Sequence, residues 1–136
     1  MTFDASTTAA MSAYQDHLDG IQGVTAELYP DDPSTFRLPQ SGRGALLVRY
    51  DGRSYSDPAS DLPRHLEVAV VTKNLRRKDG QAGAEELVQE VAEMTEGFKA
   101  DGFAFHAMRD DFVDVSDGQW MYMVEVVGRR TIRLEV

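Results

Sequence analysis

A run of basic residues leads into two glycines and then into a helical pattern, which is the order found in phosphate-binding loops. The stretch is KNLRRKDGQAGAEEL, residues 73–87. A Walker loop needs Gly-x-x-x-x-Gly-Lys-Ser/Thr, because its backbone amides wrap the phosphates and its hydroxyl holds Mg²⁺. Here Gly80 and Gly83 are followed by Glu85 and Glu86, whose negative charges would repel a phosphate. The stretch therefore predicts a strand-to-helix turn whose cations are solvated or meet the carboxylates of a partner.

A second charged stretch, DDFVDVSDG at residues 110–118, gathers carboxylates of the kind that bind Ca²⁺ or Mg²⁺. In an EF-hand loop, alternate ligands precede a glycine, and the spacing here does not match that pattern. We therefore interpret the stretch as a solvated acidic turn between two strands. A small metal-binding module built on Asp114 and Asp117 is the alternative that the residues leave open.

No set of residues in the sequence has the composition of a catalytic site. The three histidines fall on separate predicted elements, and the chain has no cysteine. The serines between residues 54 and 60 lie in a predicted loop that lacks a Gly-x-Ser-x-Gly elbow. A nucleophile, a base and an orienting group therefore do not assemble. We predict neither an enzyme nor a bound cofactor or metal.

Composition predicts one globular domain over residues 1–136. The apolar fraction is 42% and the charged fraction 27%, both ordinary for a soluble protein. No run of about 18 apolar residues predicts a membrane span, and the N-terminus lacks the features of a secretory signal. With 14 Lys plus Arg against 23 Asp plus Glu, the net charge is −9, which disfavours a broad grip on nucleic acid. Such a chain could still line a channel through which DNA slides.

The elements that must position these residues follow from hydrophobic periodicity. A first helix is predicted over about residues 4–19, and a second runs from Ala84 to near Gly97. Strands are predicted at residues 24–29, 44–50, 65–73 and 103–110, and residues 120–136 form one long strand or a strand pair. The predicted class is α+β, with a mostly antiparallel sheet of four to six strands flanked by two α-helices.

The predicted sheet is apolar on both faces. In the third and last predicted strands, apolar residues occupy both alternating sets, so two helices on one side can cover only one layer. A neighbouring subunit is a natural cover for the second face, and the chain's own long loops are the alternative. Met121 and Met123 belong to the second face and are interface candidates.

The last residues, GRRTIRLEV, alternate polar and apolar side chains. This pattern predicts an edge strand that could add to a neighbour's sheet, so Ile132 and Leu134 are further interface candidates. The predicted core anchors are Phe36, Leu38, Tyr50, Leu87, Val91, Phe98, Trp120 and Tyr122.

Several of these anchors occur within short motifs that follow one another in a defined order. The motifs are LYP (28–30), FRLP (36–39), ALLVRYDG (45–52), LEVAVVTKNLR (66–76), GF (97–98), DFV (111–113) and DGQWMY (117–122). In order and spacing they resemble the gp-thirty-seven-like family of Mu-type contractile-tailed phages and prophages, whose members are similar to tail terminators. The resemblance covers about residues 20–128.

The resemblance implies a structural protein of the virion tail, assembled in the host bacterial cytoplasm and lacking an active site. Tail terminators form a hexameric ring on the last ring of the tail tube. The ring stops polymerisation of the tube and sheath, presents a surface to the head-side connector, and lets DNA pass without specific binding. The implied partners are therefore further copies of the chain, the tube protein, the sheath protein and the connector.

Charged residues acquire candidate roles in such a ring. The candidates for a subunit or tube contact are Lys73, Arg76, Arg77 and Lys78, and the candidates for the lumen are Asp31, Asp32, Asp110, Asp111 and Asp114. Three alternatives stay open. They are a head–tail connector or tail-completion protein, the terminator of a phage-derived contractile injection particle, and the small metal-binding module.

Overall fold

The computed structural model of the chain describes residues 5–21, 23–29, 44–53, 63–73, 83–100, 102–116 and 118–130. Within these residues, two helices, α1 (Ala5–Leu18) and α2 (Ala84–Thr95), accompany six strands. The strands are β1 (Val24–Leu28), β2 (Gly44–Arg53), β3 (Arg64–Thr72), β4 (Lys99–Ala100), β5 (Phe103–Ser116) and β6 (Gln119–Arg130).

The strands form one sheet in the order β1-β2-β3-β6-β5-β4. β1 pairs with β2 in parallel, and the other neighbouring pairs are antiparallel. The predicted class, an α+β fold with a mostly antiparallel sheet and two helices, is confirmed. The two-residue β4 was not predicted, because it is too short to leave an alternating pattern in the sequence.

Both helices pack on the same face of the sheet and enclose the main core with it. Alternate residues of the central strands, such as Val68 and Val70, are buried there. α1 contributes Tyr14, and α2 contributes Leu87 and Val91. Burying a side chain of this kind stabilises the fold by roughly 1.5–3 kcal/mol, so this layer is the main source of stability.

A hydrogen-bonded and aromatic contact joins the two helices to the base of β5. The Tyr14 hydroxyl donates to Thr95 Oγ1 at 2.5 Å, and Thr95 Oγ1 donates to the Val91 carbonyl oxygen at 2.6 Å. The Tyr14 ring stacks on Phe105 with 5.0 Å between ring centres. Burial raises the pKa of Tyr14 above its usual range, and the hydrogen bond to Thr95 opposes that shift. Tyr14 is therefore a neutral donor at physiological pH.

The second face of the sheet carries a smaller apolar cluster. Leu47, Ala69 and Val71 are buried, and Met121 and Met123 pack against them half-buried. The burial of the three central residues is complete within a single chain. A neighbouring subunit is therefore not required to cover the centre of this face, which corrects the simplest form of that expectation.

β5 and β6 form a longer hairpin than the sequence predicted. Residues 111–116 were expected to lie in an acidic turn, but they continue β5 as far as Ser116. The turn prediction was wrong because the ladder to β6 runs from Arg130 back to Gln119 and holds these residues extended. Gly118, beside the turn, has a φ of 73°, a conformation that glycine adopts more readily than other residues.

Candidate assembly surface

The two halves of β5 lie in different environments. At the base, β4 pairs with Phe103 and Ala104, and the backbone of Phe105 is hydrogen-bonded to the turn that follows α2. Residues 108–115 are each exposed, and among the described residues only β6 pairs with them. We call residues 108–114 the open edge, because their outer side carries no described strand.

Two bulges shape the open edge. The register between β5 and β6 shifts twice, and Met108 and Val113 are the extra residues. Bulges bend a strand, increase its twist and change which side chains share a face. Beyond the first bulge, Asp111 and Asp114 both lie on the second face, opposite the methionines of β6.

Apolar side chains at the end of the hairpin lie on the same face as the helices. Phe112 lies opposite Tyr122, and Val115 lies opposite Trp120. The Phe112 ring is 5.9 Å from the Trp120 ring and 5.6 Å from the Tyr122 ring, measured between centres. Phe112 is 50% exposed and Val115 46%. These four residues, called the hairpin-end cluster, form a partly exposed apolar patch, and exposed apolar patches can mark interaction sites.

A row of charged residues crosses four strands on the second face. Arg49, Glu67, Glu125 and Arg109 are successive cross-strand partners in β2, β3, β6 and β5. Arg49 donates two hydrogen bonds to Glu67, which raise the pKa of the guanidinium. Arg109 contacts Glu125 at 3.2 Å and Asp111 at 2.6 Å. Each glutamate thus has an arginine on its outer side, which offsets the repulsion between the two neighbouring carboxylates.

Sequence reasoning missed this row, although a signal was present. In β2, β3 and β6, a charged residue interrupts an apolar run, in LLVRY, LEVAV and MVEVV. Aligning the three interruptions requires the strand order and register, which local patterns do not contain.

At the opposite edge of the sheet, Ala26 of β1 is capped by one side chain of α1 and one from the turn that follows it. The N–H of Ala26 in β1 donates to Asp19 Oδ1 at 3.0 Å, and the Ala26 carbonyl accepts from Gln15 Nε2 at 3.2 Å. These side chains occupy backbone groups that an incoming strand would need. The two edges therefore differ at Ala26, whose backbone groups are occupied from within the chain, although Thr25, Glu27 and Leu28 of β1 are also exposed.

The predicted interface and lumen residues fall in several places. Lys73 is exposed directly after β3, and Met121 and Met123 are half-buried on the second face. Three lumen candidates lie exposed on the open edge: Asp110, Asp111 and Asp114. Arg76, Arg77, Lys78, Ile132, Leu134, Asp31 and Asp32 lie outside the described residues.

The predicted core anchors differ in how deeply the structure buries them. Leu87 and Val91 are fully buried, and Tyr50, Phe98 and Tyr122 pack half-buried against the main core. Trp120 is half-buried, and its described ring contact is with Phe112 in the hairpin-end cluster. Phe36 and Leu38 lie outside the described residues.

The carboxylates of the open edge do not converge on one point. Asp110 lies opposite Val124 on the helix-covered face, whereas Asp111 and Asp114 lie on the other face, and Asp111 is paired with Arg109. Within the described ranges, no group of three or more His, Asp or Glu side chains is arranged to hold a metal ion. The described carboxylates therefore share no metal centre, and Asp117, the second residue of the metal-binding alternative, lies outside the described residues.

The histidines with side-chain hydrogen bonds have structural partners. His17 Nε2 lies 2.7 Å from the Met94 carbonyl oxygen, and its ring stacks on Phe98 at 4.1 Å. His106 Nδ1 lies 2.8 Å from Glu96 Oε1, and this hydrogen bond lowers the pKa of Glu96. None of the described helices has the length and apolar character needed to cross a bilayer.

Comparison with known proteins adds an identification at the level of the family. No curated protein matches the chain. The sequence profile described as Gp37 protein matches residues 20–134, which is most of the chain and includes all six strands. The chain therefore belongs to the Gp37 protein family.

Proposed function

We propose that the chain is the subunit of a phage tail terminator that assembles as a homohexameric ring on the end of the tail tube. The family match over residues 20–134 carries this proposal, since the family indicates a phage structural protein and a component of the virion. In this role the ring stops polymerisation of the tube and sheath and presents a surface to the head-side connector.

The two edges of the sheet have different structures, and this difference supports a ring. A contact between two different surfaces of identical subunits is heterologous, and it produces a ring when the rotation closes. Here the β1 edge is capped by Gln15 and Asp19, whereas the open edge on β5 is exposed. A ring contact would therefore join the open edge of one copy to a surface of the next copy other than Ala26 of its β1 edge.

The hairpin-end cluster supplies an apolar surface suited to a protein partner. Trp and Tyr, both present in this cluster, are enriched among the residues that contribute most to binding energy at interfaces. Phe112 is half-exposed and would lose further exposed area if a partner covered it. We assign this cluster to the contact with the tail tube or with the neighbouring subunit.

The acidic character of the chain suits a ring through which DNA moves. A net charge of −9 repels phosphates and disfavours tight binding to the passing DNA. Asp110 and Asp114 are exposed and keep their candidacy for the lumen.

Tube capping tests the proposal directly. Tubes polymerised from the tube protein, with and without the chain, are measured by electron microscopy for length and for density at their ends. We expect shorter tubes that carry a ring at one end. The Phe112→Ala variant is expected to stay folded and to bind tube ends more weakly.

Tubes of unchanged length with bare ends would contradict the terminator role. Binding to the head-side connector in the absence of any tube binding would favour the connector alternative. A ring mass that is not six times the 15.1 kDa of the chain would overturn the hexamer.

A further inference from the structure

We propose that the end of the β5–β6 hairpin in one copy docks on the base of the same hairpin in the next copy. The docking surface is the hairpin-end cluster together with the carboxylates of Asp111 and Asp114. The receiving surface, called the basic base, is built on Lys99 and Arg129. This inference rests on the proposed function, because it names the contact that would link successive subunits of the ring. The partner of the hairpin end is thus a second copy of this chain.

The basic base carries two exposed cations on the second face of the sheet. Lys99 of β4 and Arg129 of β6 are both cross-strand partners of Ala104 in β5, so they flank that residue on one face. Neighbouring strands lie about 4.8 Å apart, so the two backbones are separated by about 10 Å with only a methyl group between them. A carboxylate placed between the two side chains is attracted by both.

The two cations of the basic base are available to a partner. None of the ion pairs among the described residues involves Lys99 or Arg129. The carboxylate of Glu96, which belongs to the same part of the molecule, is hydrogen-bonded to His106 at 2.8 Å. Two like charges on either side of Ala104 repel each other, and an incoming carboxylate would relieve that repulsion.

The hairpin end carries the opposite charge. Asp111 and Asp114 are exposed on the second face, opposite the two methionines of β6. Asp111 is paired with Arg109, whereas the described contact of Asp114 is a hydrogen bond from the N–H of Val115 at 2.8 Å. Lys73, the exposed cation that follows β3, lies two strands away from β5. The charge of Asp114 is therefore the one most open to a partner.

The two charged surfaces are too far apart to neutralise each other within one chain. On β6, the basic base is marked by Arg129 and the position of Asp114 is marked by its partner Met121. The distance between these two residues is about 27 Å at the rise of an antiparallel strand. Attraction between exposed charges is largely screened beyond about 8 Å in physiological salt. Each surface is therefore available to a second copy.

Other described surfaces are less suited to receive an acidic hairpin end. α2 carries four glutamates and no basic residue. Arg49 and Arg109, the other exposed arginines of the second face, are already paired with carboxylates. Contact between two hairpin ends would bring the aspartates of both copies together, and like charges repel.

The contact joins two different surfaces, so each added copy leaves one hairpin end and one basic base free. Such a head-to-tail contact forms a ring when the rotation closes. A reciprocal dimer, in which two contacts form at once, would need straight edges lying flush, and the two bulges bend and twist β5. Exposed ion pairs contribute little free energy, so charge selects the surface while the hairpin-end cluster supplies most of the affinity. At the basic base, Phe98 and Ala100 on either side of Lys99 are half-buried and offer apolar surface to that cluster.

Thiol cross-linking tests the contact, because the chain has no cysteine and each engineered thiol is unique. Val113→Cys chains are mixed with Lys99→Cys chains and treated with a short bismaleimide, and Asp111, Asp114 and Arg129 stay in place. We expect linked pairs in the mixture and few in either variant alone. The matched control mixes Val113→Cys with Glu93→Cys, which is exposed on α2, and should give few linked pairs. A chain that carries both Val113→Cys and Lys99→Cys should give a ladder of species beyond the dimer.

Charge exchange gives a second readout that does not depend on thiols. Asp114→Lys and Arg129→Glu are each expected to raise the concentration at half-assembly roughly two- to fivefold, as expected for one exposed ion pair. The chain carrying both changes has the wild-type net charge and should recover assembly. The control carries Glu93→Lys with Arg129→Glu, which also keeps the net charge, and should not recover. Assembly is followed by light scattering on a sizing column.

The outcomes separate this contact from the ring itself. If the wild type assembles as a hexamer and neither single charge variant changes the concentration at half-assembly, the ring stands and the contact is wrong. Linked species that stop at the dimer, equal yields in the two mixtures, or no recovery in the double charge variant would also overturn it. A wild type that is monomeric at every concentration overturns the contact, and tube capping then decides the proposed function separately.

Support for the contact also changes an earlier assignment. Asp111 and Asp114, predicted to face the lumen, would lie between subunits. Asp110, which lies on the other face of β5, would keep its lumen candidacy.

Discussion

Phe105 and Phe112 lie on the same strand and face the same side of the sheet, yet they have opposite environments. Phe105 is 2% exposed and packs between the rings of Tyr14 and Phe98. Phe112 is 50% exposed. Its described ring contacts are with Trp120 and Tyr122, the aromatic residues at the end of the hairpin. The same residue type thus serves the core at the base of β5 and a surface at its end.

The difference follows from the lengths of the elements. β5 has 14 residues and extends about 46 Å at the rise of a strand. α2 has 12 residues and extends only about 18 Å at the rise of a helix. A helix of this length cannot cover the whole hairpin, and residues 108–115 at its outer half are exposed. Buried packing is therefore concentrated at the base, and the proposed assembly contacts lie at the end.

The largest loss of stability is expected when the buried phenylalanine, Phe105, is truncated. Phe105→Ala should lower the free energy of unfolding by about 3–5 kcal/mol, since it leaves a cavity beside Tyr14. Phe112→Ala should cost less than about 1 kcal/mol, because half of its surface is already in water. Denaturant unfolding of both variants measures the contrast. Equal losses would show that the hairpin end is part of the core.

A smaller effect is expected at the turn that connects the two strands. Gly118→Ala should lower the free energy of unfolding by about 1–2 kcal/mol, because Gly118 has a positive φ that residues with a Cβ disfavour. An added Cβ would meet no atom within 4 Å, so the cost comes from the backbone conformation. Gly118→Asn is the control and should cost less, since asparagine tolerates this conformation better. Hydrogen exchange should show the loss mainly in residues 108–116. A loss spread evenly through the sheet would argue against a separable outer half.

The buried hydroxyl beside Phe105 gives a third test of the base. Tyr14→Phe should cost about 1 kcal/mol at neutral pH, because the hydrogen bond to Thr95 is lost. The raised pKa means that the folded state keeps its proton above pH 10.0, whereas the unfolded chain ionises there. The advantage of wild type should therefore shrink as pH rises above 10.0. Tyr122→Phe is the control at the hairpin end, and the same alkaline trend in that variant would refute the assignment to Tyr14.

The smallest change in stability is expected at His106, which lies on β5 between its buried base and the open edge. The hydrogen bond with His106 lowers the pKa of the exposed Glu96 below 4.5. Its contribution should be present above pH 4.5 and lost as pH falls through the lowered value. The Tm difference between wild type and Glu96→Gln should therefore disappear in acid. Glu93→Gln, exposed on α2, makes the same charge change without this partner.

Prediction from sequence succeeded where the relevant signal was local. Alternation in β1 to β3 and the helical spacing of Leu87 and Val91 located their elements, and the ordered motifs indicated the family that the profile match then showed. It failed at Asp111 and Asp114, whose charges suggested a turn. Their extended conformation depends on pairing with β6, and a charged strand that is exposed on its outer side has no apolar alternation to reveal it.

Local periodicity was sufficient for the helices, the central strands and the α+β class, because each depends on residues near one another in the chain, whereas the family was indicated by the resemblance of the ordered motifs. The charged row, the capped β1 edge and the open β5 edge depend on strand order and register, which bring together residues far apart in sequence. The position of Trp120 likewise depends on its pairing with Val115 across the hairpin. Only the tertiary structure sets these pairings, and it decides which apolar residues are buried and which are exposed.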